Sequence, residues 1–279
     1  MVTSRAIADA VASAVGKAAV ELRPDFLAAM RTAAAAEPSE RGRRVLEQLV
    51  SNAEIAASDR VPLCQDTGTV WVRVGLGSQE AVGGDLQAEI DAAVERAFRE
   101  GALRMSVARD ALLDRSNTGT NTPAFVDVVL RPGHGATIDV MLKGGGSDNA
   151  SALVMLDPAE GFTGVKRVVV AAVETKATSA CPPLLVGVGV GGTFDKVAGL
   201  AKSALLRSLR EPNADPRLAK IEAELLEAVN ATGIGPAGLG GATTALGVHV
   251  VTAPCHIAAL PVAVNMGCSA VRTARVVLG

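Results

Sequence analysis

Three cysteines stand in three separate turns rich in glycine, proline and asparagine: Cys64 in PLCQDTG, Cys181 in ACPPLLVGVGVGG and Cys268 in NMGCSA. A thiolate is a nucleophile or a soft metal ligand, and neighbours that lock the backbone aim it in one direction. The chain has no C-x-x-C pair, so a structural zinc knuckle is not indicated. Three widely spaced thiolates suit a [4Fe–4S] cluster in which one iron lacks a protein ligand and stays open to substrate oxygens. A fourth cysteine, Cys255, precedes His256 in APCHIAALP, and spacing alone leaves it open as a ligand. Four cysteines without close pairing fit a reducing compartment, where thiols serve metals or catalysis.

Other segments carry anion chemistry. KGGGSDNAS (143–151) sets three consecutive glycines after an apolar run. Their unhindered N–H groups can form a nest for an anion, or the run can be a tight bulge. NTGTNTP (117–123) is a polar stretch between apolar ones and needs internal partners. Gly187, Gly189 and Gly192 spell G-x-G-x-x-G. A dinucleotide fold also needs a strand ending in an acid about twenty residues on, and SLREPNADP is not one. A helix N-terminus that donates N–H groups to a carboxylate fits this run better. His256 precedes Cys268 by twelve residues, across one short strand, a spacing that can set it beside the cluster. Arg104 ends a helical stretch, where a cation is also favoured by the helix dipole.

The elements that must position these groups are legible in outline. Residues 3–57 read as helices, with Thr3 as a cap, Pro24 opening a second segment and Ser39 preceding a third. From Val61 the pattern changes. A strand is expected at 67–76, a helix at 86–103, and a hairpin of two strands over 124–142 joined by PGHG. A helix at 164–177, the buried strand PLLVGVGV, a helix from Phe194, a helix at 215–233 and strands in 247–266 follow. The expected fold class is mixed α/β: a helical N-terminal lobe (1–60) packed on an α/β core with glycine-rich loops (61–279), the whole expected as one compact unit. Hydrophobic residues make up 49% of the 279, enough for a sizeable core. The net charge of −2 leaves no basic field for nucleic acid or an anionic membrane. No apolar run is long enough to span a bilayer and the N-terminus does not read as a secretory signal, so a cytoplasmic protein is expected.

The strings CQDTG (64–68), LR (103–104), NTGTNTPA (117–124), KGGGSDNAS (143–151), CPPLLVGVGVGGT (181–193), GIGPAGLGG (233–241) and HIAALPVAVNMGC (256–268) occur in one order. In that order they resemble the iron–sulfur class I fumarase and tartrate dehydratase family, over roughly residues 60 to 270. The resemblance implies a [4Fe–4S] cluster with one labile, substrate-binding iron, held by Cys64, Cys181 and Cys268, with Cys255 outside the set. It implies that Gln65, Arg104 and the Gly146 N–H contact substrate. Asp66 is then a candidate proton donor, and His256 meets substrate near the cluster. The KGGGS string leans towards the fumarase branch, whereas the tail CSAVRTARV departs from the run usual in two-chain fumarases.

The implied activity is that of a hydro-lyase: reversible hydration of fumarate to (S)-malate, with tartrate or another 2-hydroxydicarboxylate as the alternative. A non-catalytic iron–sulfur sensor is the reading from a different class; it would not need Arg104, the KGGGS loop and His256 together. Hydration of a double bond beside a carboxylate needs a Lewis acid, a cationic or N–H clamp, and a group that moves one proton at carbon. In single-chain relatives a second domain brings part of this machinery. The resemblance therefore implies an α subunit whose β subunit supplies the base, in a higher oligomer such as α2β2.

Overall fold

The structure, a computed structural model, describes residues 2–279. In chain order its elements are α1 (Ser4–Val20), α2 (Pro24–Ala36), α3 (Glu40–Asp59), β1 (Thr69–Gly77), α4 (Leu86–Glu100), β2 (Phe125–Arg131) and β3 (Ala136–Lys143). There follow α5 (Gly145–Asn149), β4 (Ala152–Leu156), α6 (Gly161–Lys176), β5 (Leu184–Gly192), α7 (Phe194–Ala204), α8 (Pro216–Asn230), β6 (Ala245–Cys255), β7 (Leu260–Gly267) and β8 (Arg272–Leu278). The class is mixed α/β, as the patterning indicates. The chain divides into two compact units, one of residues 1–23, 53–145 and 272–279, the other of residues 24–52 and 146–271. The helical lobe expected over 1–60 is thus divided. α1 belongs to the first unit, and α2 belongs to the second.

In the first unit a four-stranded sheet runs β2-β1-β3-β8. Thr3 caps α1 by accepting from the Ala6 N–H at 3.1 Å, and Asp85 caps α4 in the same way. α1 packs on α4, β3 and β8, because its apolar stripe, Ile7, Val11 and Val15, is wholly buried. On β1 the alternating Val70, Val72 and Val74 are fully buried. The hairpin expected from β2 and β3 does not form. β1 lies between them, parallel to β2 and antiparallel to β3. The PGHG turn therefore joins two strands that are not neighbours. β1 is the more apolar partner for both, and β2, exposed along most of its length, takes the sheet edge.

In the second unit the sheet order is β4-β7-β5-β6. α6 and α8 cover one face through Val169, Val173, Leu225 and Val229, and α7 covers the other through Val197 and Ala201. The glycine run of β5 finds its reason here. A Cβ on Gly187 would strike the Ala201 carbonyl, and one on Gly189 would lie 2.7 Å from the Ala201 nitrogen. These glycines let the α7 backbone rest directly on the strand. The G-x-G-x-x-G spelling is helix-on-strand packing.

Candidate active site

In the first unit the CQDTG loop follows Leu63, whose N–H donates to the Ala19 carbonyl at the end of α1 (2.9 Å). The Cys64 thiol lies 3.6 Å from the Gln65 side-chain oxygen. Asp66 is held from two sides. Its Oδ2 accepts from the Gly145 N–H at 2.8 Å, and its Oδ1 faces Arg104 Nη2 at 3.5 Å. Arg104 is 61% exposed in its side chain. Screening makes such a pair worth about 1 kcal/mol or less, so it orients the carboxylate more than it stabilises the fold.

The segment that bears Arg104 is tied to the Cys64 loop by buried polar groups. The Thr67 hydroxyl donates to the Arg104 carbonyl. Asn121, fully buried and in the left-handed region at φ 59°, donates to the Gly68 carbonyl at 3.1 Å and accepts from the Ser106 N–H at 2.6 Å. Asn tolerates that conformation better than most residues. The internal partners that the polar NTGTNTP stretch requires are these. A second guanidinium, Arg272, is only 2% exposed, and its Nε has no hydrogen-bond partner among the described residues. A Cβ on Gly144 would stand 3.0 Å from Asp66 Oδ2 and 3.4 Å from Arg272 Nη2. Asp66 thus lies among two cationic side chains and an amide. Nothing in the sequence singles out Arg272 beyond its being the first of two arginines shortly after Cys268.

In the second unit the turns of Cys181 and Cys268 come together. Cys181 sits at φ 53° after the one-turn helix Ala177–Ala180, and its carbonyl accepts from the Ser269 N–H at 3.0 Å. Antiparallel pairing of β5 with β7 sets Leu185 opposite Gly267, so both cysteine turns lie at one end of the sheet. A side chain at Gly146 would run into the Ser179 carbonyl, so α5 starts directly against the Cys181 turn. Asn265 bridges the same end, donating to Ser151 Oγ at 2.7 Å. It too was not singled out from the sequence, although it lies inside one of the motif strings.

His256 is elsewhere. The eight-residue strand β7 separates it from Cys268, and at a rise of about 3.3 Å per residue that is roughly 25 Å. An extended strand carries its two ends apart, so His256 and Cys268 lie at opposite ends of β7. His256 is exposed, its Nδ1 accepting from the Ala258 N–H at 3.1 Å. Cys255 shares that distant end and donates to the Ala259 carbonyl at 3.2 Å.

All four cysteines are free. Among the described residues no group of three His, Cys, Asp or Glu side chains is gathered as for a single metal ion. The donor set nevertheless suits an iron–sulfur cluster in its chemistry: soft sulfur donors on turns of fixed backbone. Among the described residues no helix is long and apolar enough to cross a membrane.

A family model described as "Fumarate hydratase (Fumerase)" matches residues 8–277. A protein described as "Putative L(+)-tartrate dehydratase subunit alpha" from Methanocaldococcus jannaschii is 38% identical over 274 residues, covering 96% of each chain. The "L(+)-tartrate dehydratase subunit alpha" of Escherichia coli K12 is 36% identical over 241 residues, 85% of this chain and 79% of that one. The match runs through both units and every motif string, and the chain belongs to the fumarate hydratase (Fumerase) family of hydro-lyases.

Proposed function

We propose that this chain is the α subunit of an iron–sulfur hydro-lyase that adds water reversibly to fumarate, giving (S)-malate. One observation carries the reading: in the first unit Asp66, beside Cys64, accepts from the Gly145 N–H and faces Arg104, so a carboxylate and a cation are fixed next to a thiol. In the second unit the Cys181 turn is bonded to the Cys268 turn. Cys64, Cys181 and Cys268 are the thiolates that hold the [4Fe–4S] cluster, and Cys255, at the far end of its sheet, is not. When bound, the cluster supplies a Lewis acid at its labile iron.

The remaining work falls to the chain's own groups. Arg104 and the Gly146 N–H take the substrate carboxylates, and Gln65 adds a polar contact. Asp66, oriented by Gly145 and Arg104, handles the proton at carbon. Hydroxyl joins one carbon of the double bond and the proton joins the other, so no electrons are gained or lost overall. His256 does not enter this scheme within its own chain. A β subunit supplies the complementary acid–base group, in an assembly such as α2β2; the relatives named "subunit alpha" support this. The free thiols and an oxidisable iron fit a reducing cytoplasm.

Tartrate is the second reading, favoured by the names of the same relatives. The test is anaerobic production with a partner β chain, followed by assay on fumarate, (S)-malate and L(+)-tartrate side by side. Replacing Cys64, Cys181 or Cys268 singly by alanine should abolish the cluster's absorption and turnover, while Cys255→Ala retains both. Turnover of tartrate without fumarate would move the assignment to the second reading. Full turnover by the isolated chain would overturn the subunit role.

A further inference from the structure

Glu37 follows α2 and is 3% exposed, a buried carboxylate with no part in the chemistry above. Burial, the largest single influence, pushes its carboxyl up. Hydrogen bonds from Ala242, Thr243 and Ser39 together outweigh this and hold it below the usual carboxylate value. Oε1 accepts from the Ala242 N–H at 2.9 Å and from Ser39 at 3.2 Å. Oε2 accepts from Thr243 at 2.9 Å.

The two distant donors close the loop 233–241, in which Gly233, Gly235, Ala237, Gly238, Gly240 and Gly241 all have positive φ. A chain this contorted does not hold its shape through local preference, because glycine is equally at home in several conformations. The opposite side of the loop is spent on the Cys181 turn. The Ala237 N–H donates to the Pro182 carbonyl at 2.8 Å, and a Cβ on Gly238 would come within 2.8 Å of Thr178 Cγ2. Thr178 and Pro182 flank Cys181, itself in the left-handed region, where a non-glycine residue is strained.

We propose that Glu37 is a positioning residue for the Cys181 sulfur: its carboxylate fixes the 233–243 loop, and the loop holds the left-handed turn that aims the thiol. Calling Cys181 a cluster ligand rests on the function proposed above; the mechanical link from Glu37 to Cys181 does not. The test therefore uses the full-length, metal-free, reduced chain under argon. Pulse alkylation with iodoacetamide, read peptide by peptide, gives the rate at Cys181 relative to Cys255, an exposed thiol at the other end of the same sheet. Hydrogen exchange reports the Ala237 and Ser269 amides.

Glu37→Gln keeps an acceptor oxygen but turns an amide donor towards a backbone donor. It should raise the Cys181-to-Cys255 ratio about threefold or more and speed exchange at Ala237 and Ser269 about tenfold, with the β5–β7 amides still protected. Gly238→Ala, which disturbs the loop from its other side, should do the same. Wild-type ratios and exchange in both variants overturn the proposal. So does a uniform loss of protection across the sheet, which would mean that Glu37 serves the fold at large. Failure of the wild-type chain to take up iron and sulfide with its partner would instead count against the cluster reading and leave this outcome intact.

Discussion

At the scale of single residues, the candidate site depends on buried polar groups that touch no substrate. Asn121→Ala removes the partner of the Gly68 carbonyl and of the Ser106 N–H. Each lost partner costs about 1–3 kcal/mol, so a clear drop in the midpoint of chemical denaturation is expected. Arg104→Met should behave oppositely. Its guanidinium is exposed, so stability should stay within about 0.5 kcal/mol of wild type, while kcat/KM of the assembled enzyme falls about tenfold or more through the lost charged contact. Glu37 sets a pH dependence. Its folded carboxyl lies below the ordinary value of 4.5. The stability it contributes is therefore complete above that value and disappears as pH falls through the depressed one. Thermal melts between pH 7 and pH 3 should show a smaller acid loss for Glu37→Gln than for wild type.

At the scale of elements, packing density sets the consequences. Phe98 on α4 is fully buried in the core of the first unit, and Phe98→Ala should cost about 3–5 kcal/mol in denaturant titrations. In the second unit Gly189→Ala drives a methyl into the α7 backbone and should lower the melting temperature. Most helices and strands were readable from periodicity and caps, Thr3 and Pro24 among them, because local spacing carries that information. Strand neighbours were not. β2 and β3 look like a hairpin when only their connection is considered, yet β1 intervenes through pairings that no local pattern encodes. The same holds at the site. Cys64, Asp66 and Arg104 were legible as motif members. Arg272, Asn265 and Glu37 were not, since each acts through a partner distant in sequence. His256 stands twelve residues before Cys268 in sequence, but how far apart a strand holds its two ends is a matter of conformation that spacing alone does not give.

At the scale of the whole molecule, neither unit is a single stretch of chain. The first is assembled from three segments, with β8 bonded to β3 along seven residue pairs, Ala136–Leu142. No cut at one position separates the two, and the change of pattern at Val61 marks a change of helical content. Deleting residues 272–279 should strip the first unit of its edge strand and leave the β3 edge unpaired while sparing the second. Exchange mass spectrometry should then find β1 and β3 deprotected and β5 and β7 still slow. Loss of protection throughout would show that the two units fold only together.

The pairing of β8 with β3 also bears on how quickly the fold can form. The sheet that follows the Cys64 loop is completed by a strand far away along the polypeptide, so it depends on a contact of high sequence separation, the kind that loop-closure entropy makes slow.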